Sequence, residues 1–170
     1  MLRSRGRRAG SAVSFLGEVA MPPTEQSEIP VLTLEAANAL VPRLNLVVGE
    51  QLLRRQEIEA RLQDLAEQIG HAPESLAEAA DDSMEVRKLK GDLVVRVEEY
   101  ERGWGPLDEM GAVLKDPRTG LVDFYGRVDG KLVWLCWQFG EQEVNHYHAL
   151  DEGFSGRKAI AGGVRARLLN

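Results

Sequence analysis

The sequence predicts an α+β fold: a long antiparallel two-helix hairpin of coiled-coil character, followed by a small antiparallel β-sheet of three to four strands. Three observations carry this prediction. Apolar residues alternate by fours and threes from Ala37 to Ile69, and a second such seam runs from Val86 to Trp104. Two turn motifs, Lys115-Asp116-Pro117-Arg118-Thr119-Gly120 and Asp129-Gly130, then punctuate a stretch rich in β-forming residues.

The first helix begins after Thr33, whose hydroxyl can cap an early backbone N–H, with Glu35 in the first turn favoured by the helix dipole. Its seam is Ala37, Val41, Leu44 and Val48, then Ile58, Leu62, Leu65 and Ile69. Gln51 and Arg55 interrupt the seam, and a turn of the helix towards solvent accounts for them better than a register or docking role. Pro42 removes the bond to the Asn38 carbonyl and Gly49 weakens the helix locally. Gly70 and Pro73 stop it.

A second helix is expected from Asp82, paired with Glu85 as in a capping box, through Val86, Leu89, Leu93, Val97, Tyr100 and Trp104, with Gly103, Gly105 and Pro106 ending it. The short connection makes the two helices antiparallel. At 1.5 Å per residue they span about 54 Å and about 30 Å, so part of the first needs another cover. Antiparallel packing brings Trp104 towards Leu40 and Val41, which points to the β unit for one end and a second subunit for the rest.

Within the β unit, a two-residue turn at Asp129-Gly130 makes opposed residues sum to 259. Val122, Phe124, Gly126 and Val128 then share an apolar face with Trp137, Leu135, Val133 and Lys131. The other face carries Leu121, Asp123, Tyr125 and Arg127 across from Gln138, Cys136, Trp134 and Leu132. If a third strand, Glu143 to His148, pairs with sums of 282, Asp123, Cys136 and His146 form one row, and Tyr125, Trp134 and His148 the next.

Cross-strand neighbours lie about 5 Å apart, close enough for carboxylate, thiolate and imidazole groups to converge on one ion. Asp123, Cys136, His146 and His148 are therefore the candidate metal ligands, with zinc the natural ion for such a donor set. The competing account makes Cys136 a buried apolar residue, the histidines hydrogen-bonded groups on a half-exposed sheet and Asp123 a solvated charge. Arg157, in the Gly-rich segment 153–157, and Trp134 are candidate anion or ligand contacts. The segment lacks the spacing of a nucleophile elbow, which argues against Ser155 as a nucleophile with His148 as its base.

Composition bounds the function. The 170 residues carry 27 Asp or Glu against 21 Lys or Arg, a net charge of -6, with arginines gathered near both ends. The acidic body argues against nucleic-acid binding. One cysteine excludes an internal disulfide and favours a reducing, cytoplasmic setting. The apolar run Ala12 to Leu16 is too short for an export signal, and no stretch approaches the roughly 20 apolar residues of a membrane span. Residues 1–30 are expected as a disordered tail, with Met21 as an alternative start. Residues 31–158 form one domain, with the hairpin over 33–104 and the β unit over 110–157, and 159–170 form a disordered basic tail.

The segment Leu34-Glu35-Ala36-Ala37-Asn38-Ala39-Leu40-Val41-Pro42-Arg43-Leu44 resembles a bacterial family, domain of unknown function 2203. The blocks Lys115-Asp116, Gly120 to Phe124, Leu135-Cys136-Trp137, Gly140-Glu141, and His148 with Asp151 to Arg157 extend the resemblance over about residues 31 to 158. It implies that hairpin and β unit belong together and names no catalytic residue. The expected function is a cytoplasmic protein-interaction or adaptor module that self-associates through its helical arm. The alternative is a metal-binding protein, or metal-dependent hydrolase, using the polar sheet face.

Overall fold

A computed structural model describes residues 29–165 and 167–168. These divide into two compact units, one of residues 54–102 and one joining 29–53 to 103–165 and 167–168. Residues 1–28, most of the expected N-terminal tail, lie outside the described residues.

Helix α1, Leu34–Ile69, runs for 36 residues through Pro42 and Gly49 and passes from the sheet unit into the other. It starts where the sequence predicts, because the Thr33 hydroxyl accepts the Ala36 N–H at 3.0 Å. Leu34, Ala37, Val41, Leu44 and Val48 are buried, as are Ile58, Leu62 and Leu65. Gln51 and Arg55 correct the expectation: they are 1% and 7% exposed, so the seam does not turn to solvent at mid-helix. Gln51 is buried with its Oε1 lacking a hydrogen-bond partner among the described residues, and Arg55 sends its charge along the helix to Glu59 at 2.8 Å.

In the unit of residues 54–102, helix α2, Met84–Arg102, runs antiparallel to the second half of α1. Glu57 pairs with Arg96 and Arg61 with Asp92, so numbers rise along one helix as they fall along the other. The predicted start at Asp82 is moved: Ser83 is the cap, its hydroxyl accepting the Val86 N–H at 3.2 Å. Asp82 instead accepts the Ala79 N–H and the Lys90 ammonium, both at 2.7 Å. Lys90 also donates to the Ala77 carbonyl, which ties the 70–83 connection to α2.

In the sheet unit, the short α3, Pro106–Glu109, leads into five antiparallel strands where three to four were expected. They are β1 (Ala112–Asp116), β2 (Leu121–Val128), β3 (Lys131–Gln138), β4 (His146–His148) and β5 (Lys158–Ala159), in that spatial order. A two-residue strand such as β5 is too short to show any period in sequence. The β1–β2 turn is held by Asp116, whose carboxylate accepts the Arg118 N–H and the Thr119 hydroxyl. It closes at Gly120, with φ +66° and Val48 Cγ1 2.5 Å from where a Cβ would sit, so only glycine fits against α1. At the β2–β3 turn, Asp129 and Gly130 both have positive φ, 51° and 76°, as a type I′ hairpin requires.

The apolar face falls as expected: Val122, Phe124, Leu135 and Trp137 are fully buried. The first half of α1 is tied to this unit by Asn38, whose side chain accepts the Val144 N–H, and by an ion pair of Arg43 with Glu109. The described part of the expected tail 159–170 carries the end of β5 and a single turn, α4 (Gly162–Arg165). Leu168 then bridges to Val128 and is 6% exposed. Two outlying bridges complete β2: Val31 pairs with Tyr125 and Leu168 with Val128.

Candidate metal centre

The pairing β2–β3 sums to 259 throughout, and Trp134 with His148 and Cys136 with His146 sum to 282. One row of residues therefore crosses the whole sheet: Val113, Asp123, Cys136, His146 and Ala159. The adjacent row on the same face holds Tyr125, Trp134 and His148. Strand alternation places the polar groups here because the opposite face must take the large apolar side chains.

Of the four candidate ligands, the structure brings three together. One donor atom each from Asp123, Cys136 and His148 lies within 4.8 Å of the others, and all three residues are buried, at 1%, 0% and 3% exposed. His148 Nε2 is 3.1 Å from Asp123 Oδ2. His146, the fourth, is drawn aside: its Nδ1 accepts from Arg157 Nη2 at 3.2 Å, and Arg157 also grips Glu141 at 2.8 and 2.9 Å. A tetrahedral zinc with nitrogen, sulfur and oxygen ligands sets its donors about 3.5 Å apart, so an edge of the triangle needs at most about 1.3 Å of closing.

Proton placement decides what this cluster can do. His148 Nδ1 faces the Ala149 carbonyl at 2.9 Å, and a carbonyl can only accept, so Nδ1 carries a hydrogen. In a neutral ring Nε2 is then a bare lone pair aimed at a carboxylate oxygen. At 3.1 Å such a pair needs a proton, on the ring or on the carboxyl group, or a metal ion shared between them. A backbone carbonyl holding the far ring nitrogen is also the usual support of a metal-ligating histidine. Asp123 adds a second sign: its Oδ1 is buried with no hydrogen-bond partner among the described residues.

Burial, and next the Asp123 carboxylate beside it, pushes the Cys136 thiol well above its ordinary value of 9.0. Cys136 is therefore no activated nucleophile. A catalytic cysteine needs a histidine nitrogen as base, and both nitrogens of His148 are engaged elsewhere. The same engagement excludes His148 as a base for Ser155, which lies in a short 3-10 turn, Phe154–Gly156. A metal ion inverts the cysteine chemistry, since coordination removes the thiol proton outright.

Arg157, a candidate anion contact, pairs with Glu141 and meets His146, with Phe154 under its guanidinium at 4.8 Å. Trp134, expected as a ligand platform, is only 7% exposed, stacked on Tyr125 at 4.0 Å and covered by Lys115. Sequence reasoning missed two residues. Glu141 organises the β3–β4 turn, accepting the Gln138 N–H on its carboxylate and the Trp137 indole N–H on its carbonyl. Lys115 reaches within 3.8 Å of Asp123 Oδ2. The pairing jumps from Leu114 with Val122 to Asp116 with Leu121, so Lys115 has no partner and is re-aimed, which no alternation pattern reveals.

Among the described residues no helix is long and apolar enough to cross a membrane. No curated protein and no solved structure matches the chain. The profile of one family, described as "Uncharacterized conserved protein (DUF2203)", matches residues 31–160, which takes in α1, α2 and all five strands. The chain belongs to that family.

Proposed function

We propose that the protein binds a divalent, zinc-type metal ion through Asp123, Cys136 and His148. The observation that carries this reading is the convergence of three buried donor groups, one atom each of Asp123, Cys136 and His148 within 4.8 Å of the others, with the far ring nitrogen of His148 held by the Ala149 carbonyl at 2.9 Å. Two anionic ligands and one neutral ligand balance a dication, and the mix of sulfur, nitrogen and oxygen suits zinc. Three protein ligands leave a fourth position for water, but the burial of all three keeps that position from a substrate, which favours a sensing role over hydrolysis. A reducing cytoplasm would keep the single cysteine available as a ligand.

The test is metal content and zinc titration of untagged protein, with Asp123→Ala, Cys136→Ser and His148→Ala as controls. One equivalent of zinc, lost in each variant, is expected. Cobalt in its place should give a thiolate charge-transfer band that disappears in Cys136→Ser. Failure of the parent protein to hold stoichiometric metal, or equal binding by the three variants, would end the proposal.

A second reading, a self-associating interaction module with a coiled-coil-like helical arm, is favoured by Leu46 and Leu53. They are 70% and 62% exposed and seven residues apart, hence on one face of α1. Light scattering should then report a dimer that Leu46→Glu with Leu53→Glu reduces to a monomer; a monomeric parent protein would remove this reading.

A further inference from the structure

The three candidate ligands are buried, and Lys115 is a charged side chain next to them that reaches water. Its side chain is 32% exposed, against 1% for Asp123 and 4% for His148. It enters the cluster from the break in β1–β2 pairing, lays its ammonium 3.7 Å above the Trp134 ring and ends 3.8 Å from Asp123 Oδ2. This Asp123 oxygen is also the one that faces His148.

A dication on Asp123 and an ammonium at that distance repel strongly in a site of reduced dielectric, so the two do not share the carboxylate. What holds Lys115 in place is weak by comparison. At 3.8 Å the ammonium stands beyond hydrogen-bond distance of the carboxylate and keeps about a third of its side chain in water, so it can leave once another cation takes its place on Asp123. Resting on the metal-binding reading, we propose that Lys115 is the gate and competing cation of this site: its ammonium neutralises Asp123 until a divalent metal ion displaces it outward. The β-bulge is the hinge of that exchange, because a residue without a cross-strand partner can turn without breaking the ladder.

The experiment is zinc affinity of the full chain, measured by competition with a chromophoric chelator, for the parent protein, Lys115→Met and Lys115→Arg. Methionine keeps the apolar stem on Trp134 and removes the charge; arginine keeps the charge. Lys115→Met should bind zinc about tenfold tighter or more, as relief of one close like-charge contact implies. Lys115→Arg should stay near the parent value. Lys115→Gln gives the same comparison if the methionine variant does not fold. Equal or weaker binding by the uncharged variants, with zinc held by the parent protein, overturns the gate and leaves the metal site standing. Absence of zinc from every form removes both.

Discussion

In the unit of residues 54–102, Asp82 meets Lys90 Nζ and the Ala79 N–H at 2.7 Å each, and Lys90 spends a further hydrogen on the Ala77 carbonyl. The Ala79 bond first, and then Lys90, hold the Asp82 carboxyl below the usual carboxylate range. In the sheet unit, Asp123 is buried more deeply, yet among the described residues its Oδ1 has no hydrogen-bond partner, and its Oδ2 meets His148 Nε2 at 3.1 Å and the Lys115 ammonium only at 3.8 Å. A carboxylate that clamps a loop holds its cation and its N–H at hydrogen-bond distance. One that is left short of donors in the interior is placed for a cation from outside.

The largest effect that separates the two is metal-linked. Zinc at a thousandfold excess over its dissociation constant should stabilise the parent protein and Asp82→Leu by about 4 kcal/mol in urea unfolding, and Asp123→Leu by nothing. Equal stabilisation of Asp123→Leu would erase the contrast. Next in size come the lysines, compared without metal. Lys90→Met leaves a carboxylate without its cation in a packed connection and should lower the melting temperature by several degrees. Lys115→Met, which removes an ammonium 3.8 Å from its carboxylate rather than 2.7 Å, should lower it by less. The reverse order would make Lys115 the clamp.

Cys136 gives a third comparison, through pH. Its thiol titrates higher in the folded state than the ordinary 9.0, so above that value the unfolded chain loses a proton that the folded chain keeps, and stability falls as pH rises. By pH 10 the metal-free protein should lose about 1.4 kcal/mol that Cys136→Ala retains. Bound zinc, by holding a thiolate in the folded state, should abolish that loss. The smallest effects are the helix caps: Thr33→Ala and Ser83→Ala should each cost about 1 kcal/mol, with or without zinc, because neither touches the cluster.

Much of this site was legible in sequence because the two-residue turn at Asp129-Gly130 leaves no freedom in register. Once the sum of 259 is set, the side on which Asp123 and Cys136 stand follows from alternation alone. His148 and His146 share that side, but alternation cannot choose between them. The choice falls to Arg157, which takes His146 and comes from a segment with no period to read. Lys115 was hidden for the opposite reason, since a bulge is the place where alternation fails. In the helices, apolar spacing gave the seam correctly and misjudged Gln51 and Arg55: Arg55 buries its stem while its charge runs along the helix to Glu59, and Gln51 is buried whole, which no polarity pattern reveals. The cap at Ser83 was missed because Asp82 is an equally good capping residue and had already been taken by Lys90.

The two outlying bridges of β2 bear on how the chain can be shortened. Beyond Phe124 the strand has outrun β1, and its open side is closed first by Val31, with Leu32 N–H donating to the Tyr125 carbonyl at 2.7 Å, and then by Leu168 beside Val128. A version trimmed to the family's span, 31–160, keeps the first cover and loses the second. Its exposed ladder groups near Val128 are then a template for strands of other molecules, and aggregation rather than loss of fold is the expected consequence.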